Sequence, residues 1–587
     1  MGGRYRNYLI LATFGLLFSW MQFSRLVVAG TDTAFHMARY IGTWRALQDG
    51  QLIPQLDSAV HGGFGYAINL FYPPLSAYLA VIANLVAPSW NLAINLANTL
   101  TLMFAGFTMY AFIRHLAQND DAGLLSAIAY MSSPYLVTSI NIRFMAGEFL
   151  AMAIAPLFFL GMWKLLQGES AWVLIGLSFG GILLSHNLSA VFYAFFAVFF
   201  LLAYWRQAWR FFALRQLLLA GAVAFGISAF FLLPFLEVRA AADYNVFTPG
   251  FMANFGLMNV HSLFRLSRAI IPNGAQLFSW IGLVAILTLI SIPFRYRMLP
   301  FSQKRFILVA VASSLFAFIL TTGYFPWKLL PESFAVLQFP WRLNLMVAFF
   351  LSAIVGVLFT SFKWPNWIAI ILVGGLGFAT TLITLLPPVA APQSRIDAYQ
   401  IGNHWPNTMQ LQNADYLPVR VISYLDGGKQ VWAAPGHHWM MPQMFFTRSH
   451  DPIALTGDMQ FSGLAHYGRR MQFIAEVDSP GVLELPLIYY PGYRVFIDAD
   501  RIPAFESPNG FVAVDVPSPG SHVVNSYFGM SPATKVGAVT TGVTIASLVV
   551  MAIIRTRRQT SPPADELPDI ESTLSDLYVF RFTGGAQ

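Results

Sequence analysis

The chain has 587 residues, of which 56% are hydrophobic, 16% aromatic and 10% charged, with a formal net charge of +7. A soluble globular chain carries about 25% charged residues, so most of this surface is suited to lipid rather than water. The Lys and Arg residues stand singly or in pairs between apolar runs, a topological pattern rather than a nucleic-acid-binding one, and the lack of cysteine excludes disulfides, thiolate catalysis and cysteine-ligated zinc.

A helix needs about 20 mostly apolar residues to cross the hydrocarbon core. Such runs lie at 8–28, 92–113, 121–138, 148–167, 171–186, 188–205, 213–236, 276–294, 304–322, 343–361, 365–387 and 536–555, which predicts about twelve spans of an α-helical polytopic membrane protein. The first run is too long for a cleaved signal peptide and reads as an uncleaved span. One further apolar run, 71–88, is decided by charge. Left outside as an interfacial or re-entrant helix, it puts Arg4, Arg6, Arg114, Lys164, Arg206, Arg210 and Arg215 on the cytoplasmic side. The same choice puts Arg295, Arg297, Lys304, Arg305, Lys363, Arg555, Arg557 and Arg558 there; counted as a span, 71–88 reverses the assignments that follow it. The expected topology is a multi-pass plasma-membrane protein with both termini cytoplasmic.

From 388 to 533 the texture changes to alternating apolar and polar residues broken by Pro, Gly and Asp, as in MQFIAEVDSPGVLELPLIYYPGYRVFIDAD. This predicts strands joined by tight turns, in an extracytoplasmic β-sandwich or jelly-roll-like domain. A last span at 534–558 follows, and the residues from 559 onward, rich in Pro, Ser, Asp and Glu, read as a disordered cytoplasmic tail. No internal repeat suggests the paired halves of a transporter.

The chemistry-bearing residues begin in the first external loop, 29–91. Asp32, His36 and Arg39 fall at i, i+4 and i+7, so a helix starting just after the first span places carboxylate, imidazole and guanidinium on one face. That helix is expected to be short, amphipathic and laid along the membrane surface. Asp32 also suits an N-cap, which leaves capping and chemistry as two readings. The topology gathers further polar residues at the outer ends of spans: His61, Arg143, Glu148, His186, Asn187, Glu237, Arg239, Arg265, Arg268, Gln338 and Arg342. Ionisable groups in the apolar zone cost on the order of several kcal/mol unless paired or functional, so an outward-opening polar cavity is expected. Arg143 and Glu148 read equally as a structural ion pair, His186 and Asn187 as turn caps, and Trp341 as an interface anchor beside an Arg342 placed to clamp a phosphate. His404, His437, His438, His450 and His466 lack His-x-x-x-His spacing, which argues against zinc in the external domain. No phosphate-binding Gly-rich loop or nucleophile elbow is present, which argues against a nucleotide-driven cytoplasmic enzyme.

Several stretches in this order carry a resemblance: DTAFHMARYIGTWRALQDGQ, GGFGYAINLFYPPLSAYL, SPYLVTSINIRFMAGEFLAMAIAPL, LLSHNLSAV, VLQFPWRLNLMV and, in the external domain, YYPGYRVFIDAD. The chain resembles the YfhO-like and "6-pyruvoyl-tetrahydropterin synthase-related" membrane proteins, which are placed among the GT-C glycosyltransferases. The resemblance implies a GT-C-like membrane domain to about residue 387 and an inverting transferase. Such an enzyme moves a sugar from a polyprenyl-phosphate donor to a cell-envelope glycan, lipid or protein outside the cytoplasm. It implies Asp32 as base, His36 as its orienting partner, Arg143 and Arg342 for the phosphate, and Glu148 for contact with the acceptor or a divalent cation. Arg39, His61, Tyr72, His186, Asn187 and Gln338 then line the substrate site, and Phe71, Tyr72 and Tyr78 of the interfacial segment line the prenyl entry. This chain has Gly-Thr-Asp at 30–32 where such proteins often show Gly-His-Asp, and it shows no metal-binding His set of the pterin-synthase kind. A transporter or flippase for a lipid-linked saccharide and an inactive envelope-assembly scaffold are the alternatives.

Overall fold

The computed structural model describes residues 2–28, 30, 32–247, 281–322, 324–331, 340–362, 366–390, 395–396, 416–425 and 449–560. The chain opens with α1 (Gly2–Phe18) and the short strand β1 (Val27–Val28); α2 (Thr33–Gln48) and α3 (Leu75–Val86) then occupy the first long loop. Next come α4 (Trp90–Ala117), α5 (Asp120–Met131), α6 (Pro134–Asn141), α7 (Ala146–Leu166), α8 (Trp172–Ser185) and α9 (Asn187–Ala203). The short α10 (Trp205–Ala208), α11 (Phe211–Ala241), α12 (Leu283–Arg295), α13 (Phe301–Thr321), α14 (Asn344–Phe359) and α15 (Asn366–Ala390) complete the membrane part. Strand β2 (Arg395–Ile396) returns to pair antiparallel with β1.

Among the described residues, seven helices are long and apolar enough to cross a membrane, and α5 with α6, bent by 44°, makes an eighth if the pair is one span. The remaining expected spans fall on α1, α8, α9 and α12, which are shorter. The run 8–28 needs correction: the helix starts at Gly2 and stops at Phe18. Polar residues end it, with the Ser19 hydroxyl bonding back to Gly15 O (2.8 Å) and the Gln22 amide turning to Asn141 (2.9 Å). Within 71–88, α3 has 12 residues, a rise of about 18 Å against a hydrocarbon core of about 30 Å.

The centre of the helical part is an aromatic core. Phe159 packs on Phe349 (centroids 4.7 Å) and Phe349 stacks on Phe112 (5.9 Å). The last helix, α17 (Pro532–Thr560, after the short α16, Val419–Leu425), lies against α11. There the Thr541 hydroxyl enters the α11 ladder, donating to Gly226 O (2.8 Å) and accepting from Phe230 N (3.1 Å), and Gly537 leaves room for the Ala229 carbonyl.

Of the stretch 388–533, residues Ile453 to Phe528 form a β-sandwich, and 391–394, 397–415 and 426–448 lie outside the described residues. One sheet has the order β3 (Ile453–Ala454), β6 (Gly481–Ile488), β10 (Phe511–Val516), β9 (Phe505–Glu506). The other runs β4 (Asp458–Tyr467), β5 (Arg470–Ser479), β11 (Gly520–Phe528), β7 (Tyr493–Ile497), β8 (Asp500–Ile502). Strict alternation on β5 buries Met471, Phe473, Ala475 and Val477 against Leu483, Leu485, Val512 and Val514 of the facing sheet. The sandwich is bolted to the first loop. Asp49, just past α2, accepts from Arg469 N (3.0 Å) and Phe64 O accepts from Ile488 N (3.0 Å), while Gln55 bonds Thr534 (3.1 Å) at the start of α17. This docking overturns the expectation of a surface-lying α2: Thr33, His36, Met37, Arg39, Tyr40 and Thr43 are all buried, because residues distant in sequence cover the polar face. Most of the tail from 559 lies outside the described residues.

Candidate functional site

Four separated stretches converge: the start of α2, the α6–α7 junction, the α8–α9 turn and the turn before α14. Asp32 is in electrostatic reach of Arg143, Glu148 and Tyr72; His186 is in reach of Arg39, Arg143 and Arg342.

At the start of α2, Gly30 runs so close to the next stretch that a Cβ there would lie 2.7 Å from Ile142 O, a contact only glycine avoids. Asp32 N then donates to Arg143 O (2.9 Å), which fixes the helix start against the α6–α7 junction. Asp32 holds the N-cap position, yet its side chain makes no capping bond. Thr33 organises the turn instead, donating to Val28 O (2.9 Å) and accepting from Gly30 N (2.6 Å). Asp32 is thus half-buried beside the cluster, and its side chain makes no capping bond to the helix end.

One turn on, the His36 ring packs among Tyr72 (5.5 Å), Phe35 (5.1 Å) and Phe144 (6.0 Å), and its Nδ1 has no hydrogen-bond partner. Burial holds this imidazole well below its ordinary value, with Arg39 and His186 adding to the effect, so it is neutral at pH 7. The structure therefore places His36 among aromatic rings rather than in a side-chain bond to Asp32. Arg39 is 2% exposed; its guanidinium lies 4.3 Å over Tyr72 and donates to Ser76 Oγ at 2.5 Å.

The α6–α7 junction turns through Phe144, a non-glycine residue at φ +61°, a conformation that costs on the order of 1–3 kcal/mol and sends Arg143 and Glu148 to the same side. Gly147 allows α7 to touch Ser185 O, where a Cβ would come within 2.5 Å, and to sit beside Tyr72. Glu148 is fully buried. Tyr135 donates to its Oε1 at 2.5 Å, and Arg342 Nε, in the turn Pro340–Leu343, stands 3.6 Å from its Oε2. The Arg143 guanidinium lies 3.5 Å over the Trp341 ring. Trp341 is buried beneath it as a platform, which corrects its reading as an interface anchor. Tyr135 and Asn344 also line a small cavity with Ser132, Ser133 and Thr380.

At the α8–α9 turn, His186 caps α9: its Nδ1 accepts from Ser189 N (3.2 Å), which puts the proton of the neutral ring on Nε2. Asn187 donates to Phe71 O (3.4 Å) and ties this turn to the first loop. His61 is apart from the cluster. It packs edge-on to Tyr66 (4.7 Å), in a left-handed conformation (φ +56°), and burial pulls it down to about 3. Phe71 is likewise packed, stacked on Tyr416 (5.1 Å) and edge-on to Tyr244 (4.9 Å). Gln338, Arg265, Arg268, His404, His437 and His438 lie outside the described residues. Among the described residues there is no group of three or more His, Asp or Glu that fits a metal ion. Two carboxylates beside three guanidiniums make a donor set poorly suited to a divalent cation, because the positive field is already supplied.

No family model matches the chain. It is 27% identical over 578 residues to an uncharacterized protein of Lactococcus lactis subsp. cremoris (strain MG1363), covering 90% of this chain and 92% of that one. Among solved structures it is similar to the arabinofuranosyltransferase AftD from mycobacteria, with a TM-score of 0.45 and 14% identity over 66% of this chain. The likeness spans only 27% of the AftD chain. It is also similar to ArnT from Cupriavidus metallidurans bound to undecaprenyl phosphate (TM-score 0.40, 12% identity, 67% of this chain and 73% of that chain). A third is the Archaeoglobus fulgidus oligosaccharyltransferase, with a TM-score of 0.36, 13% identity, and cover of 72% of this chain and 57% of that chain. None of these likenesses assigns the chain to a family.

Sequence reasoning missed Tyr135 and Ser76, the hydroxyls that hold Glu148 and Arg39. Each is a single hydroxyl residue inside an apolar run, where its type and spacing match ordinary helix packing. The one usable signal is negative: an arginine and a glutamate at the ends of apolar segments need polar partners from somewhere.

Proposed function

We propose that the protein is a membrane glycosyltransferase that takes a sugar from a polyprenyl-phosphate carrier and passes it to an acceptor outside the cytoplasm. The observation that carries this reading is the convergence of Asp32, Glu148, Arg143 and Arg342 from distant stretches into one largely buried cluster. Motif order along the membrane part, as in the GT-C proteins the sequence resembles, supports the same reaction.

The chemistry follows from the parts. An acceptor hydroxyl attacks the anomeric carbon, the bond from that carbon to the phosphate oxygen breaks, and the phosphate leaves with the electron pair. The acceptor proton passes to Asp32, beside the cluster. Arg143 and Arg342 stabilise the negative charge gathering on the phosphate. Glu148, held by Tyr135 and Arg342, fixes the Arg342 fork in position, and Trp341 does the same for Arg143 through its ring face. One displacement on one face inverts the anomeric centre, unlike the paired-carboxylate double displacement of retaining hydrolases. The sandwich sets the outer wall by gripping the C-terminal end of α2 at Asp49.

The test uses the full chain in lipid nanodiscs with a radiolabelled polyprenyl-phosphate sugar and a cell-envelope extract. Label is expected to move from lipid to acceptor, with inverted configuration in the product. Absence of transfer from every polyprenyl-phosphate sugar supplied, with binding of the carrier also absent, overturns the reading in favour of a scaffold.

A further inference from the structure

The charges of the cluster do not balance. Arg342 has Glu148 at 3.6 Å, and Arg143 shares the fields of Glu148 and Asp32. Among the described residues Arg39 has no carboxylate beside it; its neighbours there are the hydroxyl-bearing rings of Tyr40, Tyr72 and Tyr416 and the hydroxyl of Ser76. Nη2 donates to Ser76, while Nε and Nη1 are buried with no hydrogen-bond partner among the described residues. A guanidinium this deeply buried, at 2% exposure, costs several kcal/mol without a counter-charge, on the order expected for a desolvated ion. The nearby imidazoles add no negative charge, and the ring faces of Tyr72 and Tyr40, 4.3 and 5.7 Å from the guanidinium carbon, offset only part of that cost.

The fold nevertheless builds this position. Ser76, in the first turn of α3, turns its hydroxyl to Nη2, and Tyr72, just before that helix, supplies the face beneath. Nη2 carries a second hydrogen besides the one given to Ser76, and with Nε–H or with Nη1–H it forms a two-donor edge of the planar fork, the geometry that matches phosphate or carboxylate oxygens. His186, in reach of Arg39, Arg143 and Arg342 together, links this edge to the other two arginines.

We propose that Arg39 anchors a second anionic subsite, separate from the Arg143–Arg342 pair, so that the occupied site holds a further phosphate or carboxylate group. This rests on the transferase reading for the first anion. The second anion has two sources with the same chemistry. It is either the outer phosphate of a diphosphate-linked donor or an acidic group on the acceptor.

Binding separates them. The full chain in phosphatidylcholine nanodiscs is titrated with polyprenyl monophosphate, with polyprenyl diphosphate, and with glycerol phosphate in the presence of saturating monophosphate. Melting temperature and affinity are read for wild type and Arg39→Met. Arg39→Met is expected to raise the ligand-free melting temperature, because an apolar chain replaces an uncompensated charge, and to leave monophosphate affinity within twofold. A loss of tenfold or more for diphosphate alone identifies the donor; the same loss for glycerol phosphate alone identifies the acceptor. If Arg39→Met lowers the melting temperature while all three affinities stay within twofold, Arg39 is a structural residue and the proposal fails. Should the methionine variant not fold, Arg39→Lys carries the test, with at least a fivefold loss expected for the same probe and none for the monophosphate; equal affinities for all three probes overturn the subsite. Failure of wild type to bind the monophosphate removes the transferase reading instead, and a glycerol phosphate site that depends on Arg39 survives it.

Discussion

Arg494 and Arg39 show two ways of placing a guanidinium. On the sandwich, Arg494 donates to Tyr527 Oη (3.1 Å) and to Met530 O (3.0 Å), partly exposed and locally satisfied. Arg39 is buried, and among the described residues its side chain bonds to Ser76 alone. The same division holds for the acids. Glu484, buried in the sandwich, receives the Asn509 amide (3.0 Å), whereas Glu148 is held between Tyr135 and Arg342. The sandwich is built for stability; the cluster at the ends of the helices carries unbalanced charge that folding alone does not explain.

That contrast can be broken most severely at Glu148. Glu148→Ala leaves Arg342 buried without its carboxylate and is expected to lower stability by about 3–5 kcal/mol, read as a drop in melting temperature and in expression of folded protein. A change below about 1 kcal/mol means that the pair is hydrated and the cluster is open rather than buried.

Acid sharpens the comparison next. Burial lowers His61 to about 3 and holds His36 below its ordinary value, so the unfolded chain binds more protons than the folded one once the pH falls under about 6.5. Stability contributed by these neutral imidazoles is present above that value and lost on acidification. For His61 the loss between pH 7 and pH 5 is about 2 kcal/mol, measurable by denaturation at the two pH values. His61→Phe is expected to flatten that slope, and an unchanged slope contradicts the neutral, buried assignment.

A smaller effect is expected where the two regions are joined. Arg469→Ala removes bonds to Phe528 O (3.2 Å) and Gly50 O (3.3 Å) beside the Asp49 contact and is expected to cost about 1 kcal/mol, with faster amide exchange at the end of α2. Equal exchange in variant and wild type shows that the sandwich does not hold α2.

The smallest effect belongs to the sandwich surface. His522 Nδ1 lies 2.8 Å from Asp498, which raises the imidazole value and lowers the carboxylate value. Protection of the turn at Asp498 is therefore expected between those two values, declining as pH rises through the raised histidine value and again as it falls through the lowered carboxylate value. Amide exchange across that range reads the decline, and His522→Gln removes its alkaline limb.

Much of the fold is legible in the sequence because apolar runs and strict alternation are local signals. MQFIAEVDS puts Met471, Phe473, Ala475 and Val477 on one face without any knowledge of the partner sheet. The burial of α2 is not legible, because Arg469 and Tyr416, which help cover it, lie hundreds of residues away and no local pattern announces them. The site divides in the same way. Asp32, Arg143, Glu148 and Arg342 stand out as charges at the ends of apolar segments, whereas Tyr135 and Ser76 look like ordinary helix residues. His61 stands out for the same reason as His36, but it packs on Tyr66 of its own loop.

The half-buried Asp32 carboxylate, within reach of Arg143 and Glu148 and making no capping bond, is the proposed base. The most direct measurement compares Asp32→Asn with wild type for transfer of radiolabelled sugar from a polyprenyl-phosphate carrier, with carrier binding and melting temperature measured on the same samples. The expected result is transfer reduced by about 10²–10⁴-fold, with carrier affinity within twofold and melting temperature unchanged. Transfer by Asp32→Asn at the wild-type rate would contradict the account.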